Sequence, residues 1–187
     1  EDGMVLFQTS GSANGLGVVI ELRDSLGNLI PNSGATIEYQ PNSSGEYIPF
    51  GDGLLDSVGT ASMVVLPQHS RFRLSYQGAT QTIRQQVADD SVVVFQTVPV
   101  VVSLLDSDGD FINDADGTIE YQPGRNGDYL AFDSGELESG LAGPIELLGV
   151  KHRFRLTHDG TTKTLTKDVG EEALVLFQTV VISVELR

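Results

Sequence analysis

Thr36-Ile37-Glu38-Tyr39-Gln40-Pro41 returns further along the chain as Thr118-Ile119-Glu120-Tyr121-Gln122-Pro123. Arg71-Phe72-Arg73-Leu74 returns at the same offset as Arg153-Phe154-Arg155-Leu156, and Phe95-Gln96-Thr97 as Phe177-Gln178-Thr179. Residues 16–97 align with 98–179 without a gap, and 32 of the 82 positions are identical. Chance does not produce this; self-similarity at one fixed period marks a tandem duplication. The 187-residue chain therefore divides into an extra terminal strand and spacer (1–15), a first repeat (16–97), a second repeat (98–179), and 180–187. That last piece opens a further repeat or serves a neighbouring chain.

The two ends carry the pattern beyond the repeats. Val5-Leu6-Phe7-Gln8-Thr9 copies the closing segment of a repeat and is followed by the small-residue spacer Ser10 to Gly15. Val181-Ile182-Ser183-Val184-Glu185-Leu186-Arg187 copies the opening segment seen at Val18–Arg23 and Val100–Leu105. Neither end can complete a repeat inside the chain, and a lone apolar strand leaves unpaired amides and carbonyls beside exposed side chains. Met4, Val5, Leu6 and Phe7, with Val181, Ile182, Val184 and Leu186, are thus the candidate assembly residues. The alternative is a piece of a longer array. Glu1 in place of Met points to a processed chain or an excised piece, and no signal peptide is visible.

Within a repeat the apolar period is two, the mark of half-buried strands. Val18, Ile20 and Leu22 alternate in the first segment, and Phe72 and Leu74 alternate with Arg71 and Arg73. Strands are expected near 16–23, 35–40, 45–50, 61–66, 70–77, 79–87 and 91–97, each with its counterpart in the second repeat. Asp24-Ser25-Leu26-Gly27-Asn28 and Asp106-Ser107-Asp108-Gly109-Asp110 have turn chemistry between them. Seven short strands per repeat make a β-sandwich, so the expected fold is all-β, two tandem immunoglobulin-like sandwiches. A sandwich of this size buries roughly 60–65% of its unfolded surface, enough to stand without disulfides. Val98 follows Thr97 with no Gly/Ser linker, and Pro99 cannot donate a ladder hydrogen bond. The strand is expected to leave one sheet there and enter another, with few relative orientations left to the repeats.

The order of these signals resembles a known family. A first strand ending in Asp-Ser-x-Gly-Asn, a second reading Ala-Thr-Ile-Glu-Tyr, a Gly-rich turn, and a strand ending Leu-Pro before Arg-Phe-Arg-Leu resemble the transthyretin-like, or Cna-B-like, domains of bacterial surface proteins. A Phe-Gln-Thr ending that runs into the next repeat is similar to tandem repeats of large bacterial adhesins and extracellular filaments. The resemblance implies an immunoglobulin-like sandwich with a structural or adhesive role at the cell surface. Many Cna-B-like domains carry a Lys–Asn isopeptide bond that begins at a Lys on the first strand. The first repeat here has no Lys, and Lys151, Lys163 and Lys167 fall late in the second, so that crosslink is not expected.

Charge and composition narrow the partners. The formal net charge is −15, which disfavours nucleic acid and anionic membrane surfaces because both need Lys and Arg to displace counterions. No apolar run approaches the 18 or so residues a membrane helix needs. With no Cys there are no disulfides, thiolate nucleophiles or thiolate metal sites. The three histidines, His69, His152 and His158, match Lys151, Ser70 and Tyr76 in the other repeat and have no nucleophile motif beside them. They read as surface or strand-end residues, and no enzyme is expected.

One cluster could hold a cation. Asp106, Asp108, Asp110, Asp114 and Asp116 place five carboxylates in eleven residues, a supply of oxygens that suits Ca²⁺. Phe111 stands where an EF-hand loop needs Gly, and the first repeat keeps only Asp24, so a solvated turn is the preferred reading and Ca²⁺ the alternative. Arg71 with Arg73, and Arg153 with Arg155, are expected to pair with cross-strand carboxylates. The aromatics Tyr39, Tyr47, Phe50 and Phe72 recur as Tyr121, Tyr129, Phe132 and Phe154, which points to core packing or to a surface strip shared by both copies. The expected function is that of an extracellular structural or adhesive repeat protein, its partners further copies of itself or flanking repeats. The alternative is a carbohydrate- or ligand-binding sandwich. Far-ultraviolet circular dichroism should show a β spectrum; one dominated by helix would end this reading.

Overall fold

A computed structural model describes residues 15–113 and 116–180. Thirteen strands and two single 3₁₀ turns account for the regular structure among them. In the first repeat the strands are β1 (Leu16–Arg23), β2 (Thr36–Gln40), β3 (Ile48–Leu54), β4 (Thr60–Val65), β5 (His69–Tyr76) and β6 (Ala79–Gln86). A single long strand, β7 (Val92–Leu105), ends the first repeat and begins the second. Then follow β8 (Gly117–Gln122), β9 (Leu130–Glu136), β10 (Leu141–Leu148), β11 (Lys151–His158), β12 (Thr161–Asp168) and β13 (Leu174–Gln178). The chain is all-β and built as sandwiches.

Each repeat opposes two sheets. In the first, β1 is flanked by β4 antiparallel and by the leading half of β7 parallel, with Ile20 opposite Ala61 and Leu22 opposite Phe95. In the second, the trailing half of β7 takes the place of β1, flanked by β10 antiparallel and β13 parallel, with Leu104 opposite Phe177. The facing sheets run β3-β2-β5-β6 and β9-β8-β11-β12. Val18, Ile20 and Leu22 close one core with Ile37, Phe72 and Leu74. Val100, Val102 and Leu104 close the other with Ile119, Phe154 and Leu156. The recurring aromatics pack edge to face: Tyr39–Phe50 at 5.7 Å and Phe50–Phe72 at 5.8 Å, matched by Tyr121–Phe132 and Phe132–Phe154 at 5.9 Å each.

Strand β7 shows how a proline passes through a sheet. Val101 donates to Ala173 at 3.2 Å. Amides alternate sides along a strand, so the N–H that Pro99 lacks would point to that same side. There the rungs to β1 have ended at Gln96 and those to β13 begin only at Val101. The missing donor therefore costs no rung, and the strand continues unbroken. The buried positions also change parity, from Val93 and Phe95 to Val100, Val102 and Leu104. With a side-chain period of two, that change puts the second core on the opposite face of the shared strand.

Two expectations need adjusting. The strand expected at 45–50 lies at Ile48–Leu54, because Gly51 and Gly53, which read as a turn, form an irregular stretch inside it with φ of 60° and 77°. Nor is the repeat gap-free in space. Pro99 opposite Glu146 keeps the register of its sequence counterpart, Gly17 opposite Val64, but the pairing slips by one residue between Ala142 and Ile145. Leu22 donates to Gly59, whereas Leu104 donates to Gly140, which the linear alignment sets against Val58. A residue lost from the turn before β10 is returned as a bulge within it, and a linear alignment sees neither.

Those two glycines are structurally equivalent and equally constrained. A Cβ on Gly59 would stand 2.5 Å from the Ile30 carbonyl oxygen, and one on Gly140 2.3 Å from that of Ile112, with φ of +93° and +74°. Gly59→Ala and Gly140→Ala should each cost at least about 1–3 kcal/mol in urea unfolding, since strain and clash add. Gly17→Ala, in open space with ordinary φ, should be close to neutral.

Candidate assembly surfaces and the acidic turn

The acidic turn is built the same way in both repeats. Asp24 Oδ1 accepts hydrogen bonds from the Leu26 and Asn28 amides at 2.9 and 2.8 Å. Asp106 Oδ1 accepts from Asp108 and Asp110, both at 2.9 Å. The Asn28 side chain, above all, holds the Asp24 carboxyl below its ordinary pKa, helped by the loop amides. The first Asp is thus the turn's own acceptor, a local competitor for any cation. Asp108, Asp110 and Asp116 are exposed, Asp114 lies outside the described residues, and no group of three potential ligands gathers among the described residues.

One arginine of each pair takes the expected cross-strand carboxylate, and the other takes a cross-strand amide side chain instead. Arg73 meets Glu38 at 2.7 Å with its guanidinium 3.9 Å over the Tyr47 ring, and Arg155 repeats this with Glu120 and Tyr129. Arg71 and Arg153 donate to Gln40 and Gln122. The recurring aromatics therefore divide into two groups. Three of each four are in or against the core, while Tyr47 and Tyr129 are surface plates for arginine.

One histidine departs from the surface reading. His69 opens β5, and His158 ends β11 with Nδ1 2.7 Å from the Asp116 carbonyl oxygen. His152, by contrast, is 0% exposed, tilted against Tyr121 and Phe154. Its Nε2 lies 3.0 Å from the Leu148 carbonyl oxygen while Nδ1 has no partner, which fits a neutral ring donating from Nε2. Burial pushes its pKa down, opposed by the Leu148 carbonyl and by Asp168. The alternating pattern of β11, which puts position 152 on the same face as Phe154 and Leu156, was the available signal.

The terminal assembly residues, Met4 to Phe7 and Val181, Ile182, Val184 and Leu186, lie outside the described residues. The contact that the structure does show between repeat units is the internal junction. Leu148 is 1% exposed and belongs, with Val150, to the core of the first repeat. Glu146 accepts from the Ser25 amide at 3.2 Å, from its hydroxyl at 2.6 Å, and from the Thr97 hydroxyl. A Cβ on Gly78 would meet the Pro123 ring at 3.2 Å. An apolar plug and a carboxylate that ties two hydroxyls seal the second repeat against the first.

No protein-family model matches the sequence, and no curated protein matches it. Among solved structures it is similar to a streptococcal ancillary pilin at 15% identity and TM-score 0.35, covering 90% of this chain and 62% of that one. It is also similar to the Bacillus anthracis TIE protein (14%, TM-score 0.30, 88% of this chain and 33% of that one). A third similarity is to an α-glucan-binding streptococcal virulence factor (11%, TM-score 0.26, 87% and 92%). The chain thus spans less than two thirds of the length of the first two.

His152 yields a pH prediction. Its folded pKa is below the unfolded value of about 6.5, so the unfolded chain binds the proton first. Its contribution is complete above about pH 6.5 and is lost as pH falls, by up to about 1.4 kcal/mol per pH unit until the folded ring protonates. Urea unfolding at pH 7.5 and 5.0 should show a loss that His152→Ser, the residue at the matching position of the first repeat, removes. Equal losses in both proteins would contradict this assignment.

Proposed function

We propose that the protein is an extracellular structural or adhesive repeat protein of the Cna-B-like kind, whose work is to supply length and stiffness at the cell surface. The observation that carries the reading is the strand β7, which serves both sandwiches without a linker. A hinge there would have to break the rungs to β10, which pairs with β7 across the junction from Thr97 to Ser103. Strong acidity and the absence of a catalytic motif in the sequence suit a presenting role.

Assembly extends this logic. In each repeat the closing strand pairs parallel with the opening strand, β7 with β1 and β13 with β7. Met4–Thr9 copies a closing segment, and Val181–Arg187 an opening one. The two complement each other between successive copies. Strand addition of this kind supplies backbone bonds and covers apolar side chains, and a head-to-tail interface grows an open filament.

Deleting residues 1–9 tests this. Light scattering should show particles that grow with concentration for the full chain and lose that growth in the truncated one. A full chain that stays monomeric, or a truncation that assembles equally well, would overturn the head-to-tail model.

A further inference from the structure

The far end of the second repeat carries a cavity of about 720 Å³, lined by Leu104, Ile112, Leu156, Phe177 and Val180 and rimmed by polar residues including Thr161 and Thr179. Eighty-two residues earlier its apolar floor corresponds to Leu22, Ile30, Leu74 and Phe95 of the first repeat and to Val98 at the junction. Leu22, Leu74, Phe95 and Ile30 belong to the first core, which Leu148 and Val150 of the second repeat join. The cavity is therefore the same socket one repeat later, with no plug in it among the described residues.

The matching plug is present at the other end of the chain. Leu66, in the β4–β5 turn, is the counterpart of Leu148, and it is 46% exposed where Leu148 is 1% exposed. Val64, the counterpart of Glu146, is 69% exposed. Pro41, the counterpart of Pro123, lies in the neighbouring 3₁₀ turn. We propose that the socket of one chain takes the Leu66 turn of a second copy, by the same seating that joins the two repeats within a chain. This rests on the head-to-tail reading above and adds to it a contact made by the folded repeats themselves.

Two differences from the internal junction set its character. Val64 replaces the hydrogen-bonding Glu146, and Gln68 replaces Val150. The contact between copies thus lacks the carboxylate–hydroxyl ties, as suits an interface that forms reversibly. Seating also brings the two termini together. Gly15 lies against Val64, and Thr179 and Val180 border the cavity. The opening segment of one copy and the closing segment of the next then start from one place, and the spacer Ser10 to Gly15 gives the reach for their pairing.

The test uses full-length chains, which contain no Cys. At the internal junction a Cβ on Gly124 would stand 3.8 Å from the Ala79 Cα; the counterparts across copies are Asn42 and Thr161. Mixing Asn42→Cys with Thr161→Cys under oxidising conditions should give a heterodisulfide at least tenfold above a mixture of Asn42→Cys with Thr82→Cys, a mid-strand control. Leu66→Asp, an exposed change that should leave the fold intact by circular dichroism, should raise the concentration needed for assembly at least tenfold. Leu54→Asp, equally exposed, should not. Assembly by the full chain that survives Leu66→Asp and gives no heterodisulfide overturns the socket while leaving strand addition standing. Loss of assembly on Leu66→Asp with none on deleting residues 1–9 upholds the socket and removes strand addition. A full chain that is monomeric at high concentration overturns both.

Discussion

Strand β7 is the constraint on which the rest depends. Fourteen residues in one extended run close the first sandwich and open the second, so the edge of one core is covalently and conformationally the centre of the next. Only one residue in that run lacks an amide proton, and it falls on the side where neither β1 nor β13 needs it. The parity change across Val98 and Pro99 then turns the second core to the opposite face. Geometry that elsewhere needs a linker is here set by the strand's own pleat.

A shared strand alone would still twist and bend. The side contacts of the junction oppose this. Leu148 removes its side chain from water by entering the first core, worth about 1.5–3 kcal/mol as a buried leucine. Glu146 fixes rotation by tying Ser25 in one repeat and Thr97 on the shared strand. Burial supplies most of the energy, and the carboxylate supplies direction. The proposed plug–socket relation follows from the duplication: a surface used between the first and second units recurs on the outer side of each.

Much of this was legible in the sequence because its signals were local and repeated. The period of two along Val18, Ile20 and Leu22, and the Asp-Ser-x-Gly turns, located strands and turns within a few residues. The arginine pairs were readable because cross-strand pairing is a nearest-neighbour effect. What escaped depended on distance or on compensation. The slip between Gly140 and Ile145 cancels in a linear alignment, and Gly51 and Gly53 read as a turn although they bend a strand. His152 read as a strand-end residue because a lone His carries no burial signal of its own. The acidic cluster looked like a ligand set by count, but its first member, Asp106, is already occupied by its own loop amides. The socket could not be read at all, since it is defined by contacts between elements far apart in the sequence.

The central claim is that β7 and its side contacts make the two repeats one rigid body. Residual dipolar couplings of backbone amides, collected in one weakly aligned sample under conditions where the chain is monomeric, measure this directly. The account predicts that couplings from residues 16–96 and from 98–178 fit a single alignment tensor. Two tensors of different magnitude, one for each repeat, would mean that the repeats move independently and would contradict it.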